Sequence, residues 1–131
     1  MYGITELQLL GLAVVIGLVQ ILWTAVAVTK QTGLQYNAGP RDEPFVATGK
    51  AARLQRAQAN FLETFPFFAA AVLGGVMQGY AGGLLWWGAL IYVVARALYV
   101  PLYVWGVTGL RSLVWLASLV GIAMTLVCLF C

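Results

Sequence analysis

The chain has no histidine, only four acidic side chains (Glu6, Asp42, Glu43 and Glu63), and two cysteines, Cys128 and Cys131. A zinc site built on these cysteines has no histidine and no third cysteine to complete it. Their C-x-x-C spacing leaves two readings, redox chemistry or two small apolar residues finishing a helix, and nothing upstream resembles a thioredoxin-like unit. Charged residues make up 8% of the sequence, against roughly 25% in a soluble domain, which excludes an ordinary soluble fold. Residues 1–8 contain no Lys or Arg. The apolar run there is longer than the roughly 7–15 residues of a signal-peptide core, so a first membrane span is expected rather than a cleaved leader. There is no internal repeat and no low-complexity segment.

What the chain has in abundance is apolar: 63% of its 131 residues are hydrophobic, and the mean hydropathy is +0.93. A membrane span needs about 20 such residues, and four fit, at 5–29, 54–78, 84–105 and 112–130. The expected fold is therefore an all-α integral membrane bundle of four transmembrane helices, one domain over 1–131, with no room for a separate soluble domain.

The formal net charge of +3 reads as topology rather than as a nucleic-acid signal. Lys30, Arg41, Lys50, Arg53 and Arg56 fall in the loop 30–52 or at the start of the second span, and Arg111 falls in the turn before the fourth. Residues 1–5 and 78–83 carry no charged side chain. The positive-inside rule then puts both basic loops in the cytoplasm and both termini on the other side. The loop 30–52 holds Gly33, Asn37, Gly39, Pro40, Pro44 and Gly49 with the cluster Arg41-Asp42-Glu43, a composition that breaks helices. Two roles stay open for it: a lid or binding loop, or a solvated linker held near lipid head groups. Pro66 and Pro101 are expected to bend the second and third helices. Trp86 and Trp87 suit one membrane interface, and Trp105 and Trp115 the other.

Against this apolar background, Arg53, Arg56, Asn60 and Glu63 stand at spacings that place them on one face of the second helix. Arg96, Tyr99 and Tyr103 form a similar row on the third. At about 1.5 Å per residue, Glu63 lies roughly 15 Å below Arg53 and Arg96 roughly 13 Å below Trp105. The two deepest charges are thus level and opposite in sign, and a Glu63–Arg96 interaction is expected. Charge at membrane depth usually faces a bundle interior or a wet cavity. Arg53 and Arg56 also have a simpler reading, as side chains snorkelling to the interface. A purely structural Glu63–Arg96 pair is the simpler reading of the deeper residues. As a pocket, the set offers Arg for carboxylates in two-pronged geometry, Glu63 for an amine, and Asn and Tyr as neutral partners. A small peptide-like anion fits, with lipid-facing apolar walls for a hydrophobic second substrate.

The run Arg53-x-x-Arg56-Ala57-x-x-Asn60-x-x-Glu63-x-x-Pro66 resembles the signature of the MAPEG superfamily, membrane-associated proteins of eicosanoid and glutathione metabolism. Arg96-x-x-Tyr99-x-x-x-Tyr103 and the later Arg111-Ser112 are similar to that family's third-helix pattern and fourth-helix start. Gly39-Pro40-Arg41-Asp42-Glu43 looks like its bacterial members, and the likeness spans the whole chain. Some members differ where this chain has Ala59, Thr64 and Tyr99, which turns the expectation away from isomerase chemistry on an eicosanoid. The resemblance implies a homotrimer with glutathione bound between neighbouring subunits near the cytoplasmic side. It implies contacts to glutathione from Arg53, Arg56, Asn60 and Glu63, and from Arg96, Tyr99 and Tyr103 of the adjacent subunit. It gives Arg111 the role of stabilising the thiolate, with Ser112 nearby. The implied activity is a membrane-bound glutathione transferase acting on hydrophobic electrophiles, with peroxidase activity toward lipid hydroperoxides as a further option. The implied setting is a bacterial inner membrane, with glutathione as co-substrate, no metal and no nucleic acid. The alternative is a non-enzymatic membrane protein binding lipid or partner proteins through the same fold. A small multidrug exporter is disfavoured, because its essential mid-helix carboxylate has no counterpart in the first span, which holds only Glu6 at its edge.

Overall fold

The computed structural model describes residues 3–33, 39, 46–106 and 108–130, and these form four helices: α1 (Glu6–Thr32), α2 (Gly49–Met77), α3 (Gly83–Val104) and α4 (Thr108–Val127). All four are long and apolar enough to cross a membrane, so the chain is an integral membrane protein. Helix α1 starts on a reciprocal cap, in which Gln8 N–H donates to Thr5 Oγ1 (3.1 Å) and Thr5 N–H to Gln8 Oε1 (2.8 Å). These bonds satisfy two donors that a helix start otherwise leaves open. It ends at Gly33, whose N–H returns to the Thr29 carbonyl.

Two helix starts differ from the expected spans. Helix α2 begins at Gly49 rather than at 54, and α4 at Thr108 rather than at 112. Hydropathy stops counting where Lys50 and Arg53 begin, but the run Lys50-Ala51-Ala52-Arg53 consists of good helix formers, and the helix continues past the apolar span. Lys30 likewise lies in the last turn of α1. The cluster Arg41-Asp42-Glu43, with Pro40 and Pro44, lies outside the described residues.

Helices α2 and α3 occupy the centre. Helix α1 packs on both of them from one side and α4 from the other, and among the described residues α1 and α4 do not meet. The core joins Leu9 and Ala13 of α1, Phe68 and Val72 of α2, and Ala89 and Tyr92 of α3. The Phe68 and Tyr92 rings stack at 4.0 Å. Thr64 gives its only proton to the Phe61 carbonyl (3.1 Å), so the buried Tyr92 hydroxyl, 3.0 Å away, donates to Thr64. Helix association in lipid rests on such packing and bonding rather than on escape from water. The same logic explains the α3–α4 seam. A Cβ on Gly88 would stand 2.8 Å from the Gly121 carbonyl oxygen, and one on Gly121 would stand 2.7 Å from the Gly88 carbonyl oxygen. Only residues without a Cβ let the two backbones approach this closely.

One end of the bundle is fastened by the N-terminal segment. The Gly82 N–H donates to Glu6 Oε2 (2.9 Å), and the Trp86 indole N–H to the Ile4 carbonyl (2.8 Å). Glu6 is therefore buried, at 4% exposure, as an acceptor at the start of α3. The polar stripes converge toward the opposite end.

Candidate functional site

At that opposite end a cavity of about 230 Å3 opens between α2, α3 and α4. Asn60 lines it from α2, Tyr99 and Tyr103 from α3, and Arg111, Ser112 and Trp115 from α4. Tyr103 stands between two guanidinium groups. The Arg56 Nε–H donates to its hydroxyl (3.0 Å), and Arg111 Cζ lies 4.6 Å from its ring centroid. Such cation–ring contacts hold both charges near the mouth without neutralising them. The Tyr99 and Tyr103 rings lie 5.5 Å apart, tilted by 56°.

Below this layer sits Arg96, with 0% exposure. Its Nη1–H donates to Asn60 Oδ1 (2.8 Å), and its Cζ lies 4.3 Å from the Tyr99 ring centroid and 5.6 Å from that of Phe61. Its Nε and Nη2 groups have no hydrogen-bond partner among the described residues. Arginine offers only donors, so the Asn60 oxygen faces Arg96 and its NH2 group is left to turn toward the cavity. With three guanidinium groups beside it and no carboxylate in its lining, the site has the electrostatics of an anion receptor.

The expected Glu63–Arg96 pair does not form: Glu63 is exposed on α2, and Arg96 bonds Asn60 instead. Depth along the helix was matched, but Glu63 stands about 60° around α2 from Asn60, since three residues advance a helix by roughly 300°. The face carrying Asn60 is the one that meets α3. Arg56 and Asn60 meet Tyr103 and Arg96 within a single chain, because α2 and α3 are joined by a short turn and pack side by side. Arg53 is engaged elsewhere, donating from Nη1 to the Val104 carbonyl (3.2 Å) at the end of α3.

Trp115 is a lining residue that sequence reasoning placed only at the interface. Its Nε1–H is buried and has no acceptor among the described residues. The signal was present, since 111, 112 and 115 share one helical face. Cys128 is buried, with its sulfur 3.6 Å from the Met124 carbonyl, while Cys131 lies outside the described residues. Among the described residues no group of three His, Cys, Asp or Glu side chains could hold a metal ion.

A family model described as the MAPEG family matches residues 7–131. No curated protein matches the chain at a significant level. Four membrane-length helices, a polar cavity at one end and a match over nearly the full chain agree: this integral membrane protein belongs to the MAPEG family.

Proposed function

We propose that the protein is a membrane-bound glutathione transferase that presents the glutathione thiolate to hydrophobic electrophiles, with lipid hydroperoxides as candidate peroxidase substrates. The observation that carries this reading is the convergence of Asn60, Tyr99, Tyr103, Arg111 and Ser112 on one cavity. The family includes glutathione transferases. Arg56 and the Asn60 amide hold carboxylate and peptide groups of glutathione, with Arg96 fixing Asn60 from below. Arg111, in the first turn of α4, faces the thiol. A free thiol titrates near about 8.5, and an adjacent cation lowers that value and raises the nucleophilic fraction at neutral pH. The thiolate then attacks the electrophilic carbon and forms the C–S bond, with the displaced pair carried off by the leaving group or taken up by a conjugated acceptor.

The cavity of about 230 Å3 is smaller than the roughly 300–1,000 Å3 of a typical small-molecule site. Arg56 and Glu63 are exposed on the single chain, and charge inside a membrane needs cover. Both observations support completion of the site by a neighbouring copy, in a homotrimer with the basic ends of the helices in the cytoplasm. Glu63 then receives the glutathione amine or a group of the neighbouring subunit.

The test is a thiolate absorbance titration with glutathione on detergent-purified protein, wild type beside Arg111→Ala. A thiolate signal near neutral pH that disappears in Arg111→Ala is expected. No signal in the wild type overturns the reading.

A further inference from the structure

The ends of α1, α2 and α3 enclose a second cavity of about 440 Å3, which shares no lining residue with the polar cavity. Lys30 comes to it from the last turn of α1 and Lys50 from the first turn of α2. Both are exposed, and among the described residues neither has a carboxylate partner. Val26, Leu54 and Val104 give the cavity an apolar wall, and Trp23 and Trp105 flank it. A two-bond strut fixes the spacing of the lysine-bearing ends: Gln31 Nε2–H donates to the Thr48 carbonyl (2.9 Å), and Thr48 N–H to Gln31 Oε1 (3.2 Å). The first turn of α2 has no acidic residue, and a lysine there has the wrong sign for a helix start. Two cations are thus held over an apolar wall with no counter-charge among the described residues.

We propose that this cavity binds an anionic phospholipid of the surrounding bilayer, with its phosphate between Lys30 and Lys50 and an acyl chain along Val26, Leu54 and Val104. A free anion has no use for the apolar wall, whereas tryptophans such as Trp23 and Trp105 sit at head-group level in membranes. The volume lies within the range of built ligand sites. The site uses none of the residues assigned to glutathione.

Native mass spectrometry of the detergent-purified protein tests this with phosphatidylglycerol and phosphatidylcholine of identical chains. Two lysines near the surface predict a preference for phosphatidylglycerol of roughly ten- to thirtyfold. The preference is expected to disappear in Lys30→Gln/Lys50→Gln. Val26→Trp, an exposed position that fills the apolar wall, is expected to lower retention with both lysines present. Millimolar inorganic phosphate is expected not to displace the lipid. Equal retention of the two lipids, an unchanged preference in the double variant, or unchanged retention in Val26→Trp each overturn the proposal. Displacement by phosphate overturns it in favour of a free-anion site. The glutathione titration on the same double variant reads the polar cavity separately.

Discussion

Arg96 is buried among two aromatic rings, and among the described residues its guanidinium has a single hydrogen-bond partner, Asn60. That asymmetry has opposite consequences for its two halves. Replacing the cation by an apolar side chain of similar length, Arg96→Met, removes a desolvated charge and is expected to leave thermal stability in detergent equal or higher. Asn60→Leu keeps the charge and removes its partner, and is expected to cost about 3 kcal/mol in the same melt. Glutathione affinity should move differently: Arg96→Met frees the Asn60 amide to turn and is expected to weaken binding roughly tenfold, read by calorimetric titration. A stability loss in Arg96→Met as large as in Asn60→Leu would show that Arg96 makes contacts beyond those described. The polar row itself was legible from spacing. Which of its members meets α3 was not, because spacing gives depth along a helix but not the direction in which the neighbour lies. Asn60 and Glu63 are one turn apart in sequence and diverge in fate for that reason.

At the level of the helices, the α3–α4 seam fixes the cavity wall. Gly121→Ala would drive a Cβ against the Gly88 carbonyl and the Tyr92 backbone, which cannot rotate away. A cost of about 1–3 kcal/mol is expected, together with a weaker thiolate signal, since Arg111 and Tyr103 lie on the two separated helices. Gly74→Ala is the control. Its Cβ meets only the flexible end of Leu129, so a much smaller shift in the melt is expected. The four helices were legible because each apolar run has the length of a membrane. Their starts at Gly49 and Thr108 were not, since a hydropathy window ends at the first charges while the helix continues. The α3–α4 contact was also hidden: Gly88 and Gly121 look like any other glycines until the two chains of backbone are laid side by side.

For the whole molecule, the telling observation is what one chain leaves uncovered. Helices α1 and α4 sit apart on the two sides of the central pair, and Glu63, at the midpoint of α2, is exposed. The trimer proposed above covers such surfaces, and native mass spectrometry in a mild detergent is expected to give three chains per particle. A monomer that still produces the glutathione thiolate would place the entire site in one chain and leave Glu63 without a role in it. Composition and hydropathy do not speak to copy number, because an apolar side chain facing lipid and one facing a second copy obey the same composition rules; only the motif resemblance implies three copies.

The fastening of Glu6 to Gly82 also sets an order in time. The two residues are separated by 76 positions, and at roughly 5–20 residues per second of synthesis about 4–15 s pass between the appearance of one and the other. During that interval the first helix is inserted while its carboxylate lacks the amide that will receive it. The clasp can close only after the second helix is complete and the third has begun, so it plays no part in the insertion of the first two helices and is available before the third and fourth pack.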